Sequence, residues 1–142
     1  MVIAEGDAGL TSVNFRDLFD GSHDVYIGDF GFEYNRLSSL SIPSFVKKIN
    51  MDAFRQEGTN ASLTDLQFEE GIECIAGGAF TNCNGLAKQD LIEFPKSLKY
   101  LDGGAFTTCG ALKVRFDNPD IRFGSQYDSD QDDPSLPFDD GT

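Results

Sequence analysis

Apolar residues in this chain come in short alternating bursts and never in long helical stripes. "LTSVNF" (10–15), "LSSLSIP" (37–43), "LTDLQF" (63–68) and "LIEFP" (91–95) each alternate apolar with polar positions, a period of two that predicts short strands. In these segments Val13 and Phe15, Leu40 and Ile42, Leu66 and Phe68, and Ile92 and Phe94 share one face. Asn14, Ser41, Gln67 and Glu93 point the other way. "LKVRF" (112–116) has the same form and predicts a truncated fifth strand that presents Arg115.

Between these bursts a hexapeptide recurs: "IGDFGF" (27–32), "INMDAF" (49–54), "IAGGAF" (75–80) and "LDGGAF" (101–106). Each copy has an aliphatic residue, three small or turn-forming residues, Gly or Ala, then Phe. The copies start 22, 26 and 26 residues apart. A unit this short cannot cover its own apolar side, so it must stack on its neighbours. With coils ~4.8 Å apart, as strand pairing requires, Phe32, Phe54, Phe80 and Phe106 should form one column. Ile27, Ile49, Ile75 and Leu101 should form a second. Gly31, Ala53, Ala79 and Ala105 are small where the backbone passes close to the next coil. The Gly, Asn and Asp residues before them suit bends that need positive φ. "AFTNCNGL" (79–86) and "AFTTCGAL" (105–112) add Cys83 and Cys109 three residues after the Phe, a spacing that repeats with the coil.

The combined pattern L-x-x-L-x-I-P, V-x-x-I and A-F-x-x-C-x-x-L resembles the BspA-type leucine-rich repeat. It is clearest in "LSSLSIPSFVKKINMDAF" (37–54) and "FPKSLKYLDGGAFTTCGAL" (94–112) and extends over roughly residues 10–116. The resemblance implies an α/β, β-dominated fold, a right-handed solenoid of about four short repeats with one strand per repeat. The A-F-x-x-C segments would be short helical turns on the opposite side, with Cys83 and Cys109 facing inward. The solenoid is expected over residues 1–124, with repeats near 10–32, 37–54, 63–86 and 87–112 and a capping strand at 112–123. Residues 125–142 are expected to be an acidic C-terminal tail or docking arm.

Charge narrows the partners. Eleven basic and twenty-four acidic residues give a net charge of −13, and phosphate-bearing partners are repelled, so nucleic acid is not expected. No stretch of eighteen apolar residues exists to insert into a membrane. The first ten residues have neither a basic region nor a long apolar run, so no secretion signal is expected. Synthesis in the cytoplasm follows, with the virion surface as the site of action if the chain belongs to a phage. Hydrophobic content of 39% with thirteen Phe is enough for a packed core.

Candidate chemistry is sparse. His23 is the single histidine, in the loop "DGSHDV" (20–25), and no nucleophile–base–acid pattern or phosphate-binding loop accompanies it. The chain is expected to be no enzyme and to need no cofactor. Cys74, Cys83 and Cys109 are an odd number without metal spacing and are expected to be free thiols. Asp128, Asp130, Asp132 and Asp139 fall at calcium-loop positions, but Asp133 stands where the loop needs glycine and Pro137 interrupts it. A solvated acidic terminus is the preferred reading of that stretch. The candidate recognition surface is the outward ladder Asn14, Ser41, Gln67, Glu93 and Arg115, with Asp65 beside it. Leu136 and Phe138 are the apolar contacts of a docking arm. The function expected is a non-enzymatic protein-interaction module. The expected partners are proteins of a larger assembly such as a phage virion, including further copies of itself, or a host-surface receptor. A free soluble or surface adhesin-like binder of protein or glycan is the alternative.

Overall fold

A computed structural model describes residues 2–3, 9–58 and 61–124. The chain winds as a strand-dominated coil of about four turns, and each full turn contributes two short strands rather than one. The first side is a parallel six-stranded sheet. In spatial order it contains β1 (Val2–Ile3), β2 (Val25–Ile27), β4 (Val46–Ile49), β6 (Cys74–Ile75), β8 (Tyr100–Asp102) and β10 (Arg122–Gly124). The second side contains β3 (Ser39–Ile42) paired with β5 (Asp65–Phe68), and β7 (Ile92–Phe94) paired with β9 (Val114–Phe116). All of these pairings are parallel.

The hexapeptides form the third side. Each begins within the last two residues of a strand of the large sheet, at Ile27, Ile49, Ile75 or Leu101, and then turns. Backbone bonds join one turn to the next: the Phe32, Phe54 and Phe80 amides donate to the Ala53, Ala79 and Ala105 carbonyls at 2.7–2.8 Å. Coils therefore hydrogen-bond to their neighbours along the six-stranded sheet and along this third side, and on the second side within the pairs β3–β5 and β7–β9. The turns need left-handed backbone at the fourth hexapeptide position, where φ is 60° at Phe30, 54° at Asp52 and 73° at Gly78. The A-F-x-x-C segments are turns of this kind and not helices. Regular helix among the described residues amounts to Phe15–Leu18 and a 3-10 turn at Asn84–Lys88.

The core is a set of columns. Phe32, Phe54, Phe80 and Phe106 stack nearly parallel, with centroids 5.2, 5.5 and 5.0 Å apart and interplanar angles of 5–10°. A second aromatic column, Phe68, Phe94 and Phe116, runs beside it at 5.4 and 5.0 Å. The two meet edge to face, Phe68 on Phe80 at 86° and Phe94 on Phe106 at 72°. Offset stacking within a column and edge contacts between columns both suit the ring quadrupole. Ile27, Ile49 and Ile75 are fully buried behind the rings, with Leu101 following them in register.

The first burst of alternation does not become a strand. Phe15 is buried and meets Phe32 edge-on at 5.7 Å, but it opens a single helical turn capped by Asn14, whose Oδ1 accepts from the Arg16 amide at 3.0 Å. That turn closes the N-terminal end of the core, with Leu10, Val13 and Phe19 packed against it.

The corners are tied by carboxylates. Glu70 accepts from the Lys96 and Ser97 amides of the next coil at 2.9 and 3.0 Å, and the Gly71 amide donates to Ser97 Oγ at 2.7 Å. Glu69 reaches the other way, accepting from Ser44 N at 3.0 Å and Arg16 at 2.6 Å. Together these hydrogen bonds hold its carboxyl below the usual carboxylate range. Gly71 has φ 148°, and a Cβ there would run into the Ser44 carbonyl of the preceding coil.

Truncation in the middle of the aromatic column should be costly. We expect Phe80→Ala to remove about 3–5 kcal/mol, and the half-buried end member Phe106→Ala less, in urea unfolding followed by circular dichroism. Glu70→Ala should cost about 1–2 kcal/mol, while Glu70→Gln, which keeps an acceptor, should recover part of that loss in the same assay.

Candidate functional site

The exposed surface of the second side is built by the strand alternation. Ser39 and Ser41 on β3 stand in register with Asp65 and Gln67 on β5, and Glu93 on β7 with Arg115 on β9. All six side chains are exposed, while Leu40, Ile42, Leu66, Ile92 and Phe94 between them are buried. Gln67 donates to Asp65 at 2.7 Å. The Arg115 guanidinium is held by Glu93 at 3.0 Å and Asp117 at 3.1 Å. These are exposed pairs that set geometry more than stability. The face offers hydroxyl, carboxamide, carboxylate and guanidinium groups in rows one strand apart, which suits contacts to a polar macromolecular surface.

Two features depart from a single five-rung ladder. Asn14 is not on a strand; as the cap of the helical turn it borders a shallow groove with Val13, Arg16, Ser39, Ser41 and Pro43. The face is also split, because β5 and β7 do not pair as strands. The Gln89 carboxamide bridges them instead, accepting from Leu66 N at 2.7 Å and donating to the Leu66 and Leu91 carbonyls at 3.0 and 2.9 Å.

The same device recurs inside the coil. Cys83 and Cys109 occupy the third position after their Phe, and their thiols point at the Phe54 and Phe80 carbonyls, 3.4 and 3.0 Å away. Asn35 holds the equivalent position in the first coil, donating to the Phe32 and Phe54 carbonyls at 2.8 and 3.2 Å. In the coil between them Gln56, fully buried, donates to Asn35 Oδ1, the Leu37 carbonyl and Ser62 Oγ, and accepts from the Ser62 and Leu63 amides. Polar side chains thus take over in the coils that lack the cysteine, and the buried backbone stays satisfied. Neither Asn35, Gln56 nor Gln89 follows from the repeat pattern; the missing Cys was the available signal for the coils of Asn35 and Gln56, and nothing in the spacing marks Gln89.

The His23 loop is exposed. Ser22 Oγ lies 2.6 Å from Asp20 and 2.8 Å from His23 Nδ1, and Ser22 N also donates to Asp20. The carboxylate therefore meets the hydroxyl and not the imidazole, a local turn unlike a triad in which the acid orients the base. Among the described residues no group of three or more His, Cys, Asp or Glu side chains is placed to hold a metal ion. No helix among them is long and apolar enough to cross a membrane. Leu136, Phe138, Asp128, Asp130, Asp132 and Asp139 lie outside the described residues.

A stack of parallel coils with aromatic columns inside and a polar strand face outside defines a repeat scaffold whose side chains are displayed for contact. The chain belongs to the BspA-type leucine-rich-repeat family: the family's repeat-region model matches it in six copies over residues 25–121. Neither a curated protein nor a solved structure shows significant similarity to it.

All three cysteines are free and buried. Burial pushes the Cys74 thiol up to about 12 and Cys109 to about 11, and Cys83 further still, from an ordinary 9.0. The folded chain thus keeps these protons after the unfolded chain has released them. Stability should be intact below pH 9 and fall between about pH 9 and 12, by up to about 1.4 kcal/mol per pH unit for each thiol. Urea midpoints across that range should show the decline, with a shallower slope in Cys74→Ala.

Proposed function

We propose that this leucine-rich-repeat protein is a non-enzymatic protein-interaction module acting as a structural or host-contacting part of a larger assembly. A phage virion, with the chain as a capsid decoration or a tail or fibre protein, is the setting we favour. Repeats of this family generally mediate contact between proteins.

The observation that carries this reading is the open C-terminal end of the coil. Phe123 pairs in register with Leu101 and so continues the inner aliphatic column, yet it is 59% exposed. Val114 continues the Ile92 position on the second side and is 40% exposed. Leu112, Phe116 and Ile121 are only half buried beneath them. β9 and β10 are the outermost described strands of their sheets. A neighbouring subunit that laid a strand or a coil against this end would cover the core columns and pair the edges at once. The polar face of β3, β5, β7 and β9 would then remain for a second contact, such as a host-surface receptor. That face is also what favours the second reading, a free soluble or surface adhesin-like protein that binds a protein or glycan through Ser41, Gln67, Glu93 and Arg115.

The two readings separate on Phe123→Asp. Because Phe123 is exposed, the variant should stay folded within about 1 kcal/mol of the parent chain. Assembly through the open end predicts that the parent chain self-associates in sedimentation or copurifies with particles, and that Phe123→Asp abolishes this. A parent chain that stays monomeric at high concentration and never copurifies, with the variant unchanged, would overturn the assembly reading in favour of the free binder.

A further inference from the structure

Among the described residues β9 pairs on one edge only, with β7. The Ile92 amide donates to the Lys113 carbonyl at 2.9 Å, and the Asp117 amide donates to the Phe94 carbonyl at 3.0 Å. Backbone groups alternate in direction along a strand, so the amides and carbonyls of Val114 and Phe116 point to the open edge. The chain then leaves this edge. After Asn118, whose side chain donates to the Leu98 carbonyl at 3.0 Å, it crosses to β10 in the other sheet. Val114 and Phe116 lie on the core side, in register with Ile92 and Phe94, and the Phe116 ring meets Phe123 edge-on at 5.2 Å. Alternation puts Lys113, Arg115 and Asp117 on the outer side, where Glu93 and Asp117 hold the Arg115 guanidinium.

Whatever pairs with this edge has to bring a strand edge of its own. The opposite end of the coil has none on this side: β3 is bordered there by the helical turn Phe15–Leu18 and its Asn14 cap. The gap between β5 and β7 is already bridged by the Gln89 carboxamide. Head-to-tail stacking therefore does not continue the second side. The edge that fits β9 is another β9, run antiparallel about a two-fold axis perpendicular to the face. With Val114 opposite Phe116, each such pair exchanges both backbone bonds and the apolar residues stay on the core side. The same register sets each Lys113 opposite Asp117 of the second copy. A lysine on a bare edge ordinarily discourages pairing, but here a carboxylate stands across from it. Arg115 meets its own copy at the axis, with each guanidinium already neutralised by Glu93 and Asp117.

We propose that the open end binds a second copy of this chain, by antiparallel pairing of β9 with β9 about a two-fold axis. This rests on the reading of the open end as an assembly surface, and it specifies the partner and the register. The axis exchanges the other two sides of the coil, so β10 of one copy faces the turn that ends at Phe106 in the other. The contact closes at two copies and does not grow into a filament. End-on contact through a single coil is small, so the dimer forms and parts with concentration.

Residue 115 reports on the axis directly, because opposite residues of a non-hydrogen-bonded antiparallel pair have Cα atoms ~4.5 Å apart, within disulfide reach. Full-length Arg115→Cys and Glu93→Cys would be oxidised side by side; Glu93 lies one strand further in, and the native cysteines are all buried. We expect Arg115→Cys to give covalent dimer about tenfold faster or more than Glu93→Cys. In sedimentation equilibrium the parent chain should show a monomer–dimer equilibrium. Lys113→Asp and Asp117→Lys should each weaken it about tenfold or more, and the two combined should return it to within about threefold of the parent. Lys113 is exposed and Asp117 is half-buried at the edge, and circular dichroism of each variant checks that it stays folded. A parent chain that is monomeric at every concentration would overturn the proposal, and so would one that grows beyond the dimer. Copurification with particles that is lost in Phe123→Asp, without a preferred cross-link at residue 115, would also overturn the two-fold pairing and leave the assembly reading standing.

Discussion

Parallel pairing at one strand spacing is the constraint on which the rest of this structure depends. It places each residue of a coil directly over its equivalent in the next, so anything buried must fit against a near copy of itself. Phenylalanine satisfies this because flat rings stack on each other with their edges free for a second column, and the 5.0–5.5 Å centroid separations match the spacing the backbone sets. The alanines that precede them satisfy it by leaving room for the amide-to-carbonyl bonds on the third side.

The same constraint governs the polar interior. A carbonyl left over at one Phe is left over at every Phe, so the coil needs a donor at the same place each time. Thiols supply it at Cys83 and Cys109, and the Asn35 carboxamide supplies it to Phe32 and Phe54. Gln56 and Gln89 do related work where coils differ in length or where strand pairing lapses. These side chains make irregular coils compatible with a regular stack without leaving buried backbone groups unpaired.

Much of this was legible in the residues, because recurrence at a fixed period reports stacking directly. The hexapeptide columns and the strands β3, β5 and β7 could be read from spacing and alternation alone. The six-stranded sheet could not, since successive residues of β4, β6 and β8 are buried on both faces and leave no apolar–polar alternation. Asn14 was misplaced on a strand because "SVNF" alternates like its counterparts, whereas the chain end needs a closing turn and Asn caps it. The outward column of Lys48, Cys74 and Tyr100 was missed for a different reason. One lysine, one cysteine and one tyrosine share no chemistry, and only the register reveals that they are neighbours.

The two ends of the coil are unlike. At the N-terminal end a helical turn seats Phe15 on the column, with Leu10, Val13 and Phe19 around it. At the other end Phe123 and Val114 stand at the surface. In a stack where each coil contacts only its neighbours, disassembly starts where a layer has a partner on one side alone. A molecular machine that grips this protein from its C-terminus would peel it layer by layer, each step releasing one ring from the column. One that pulls from the N-terminus must strip β1 from β2 and then dislodge the closing turn, so the resistance of the same fold depends on the direction of pull.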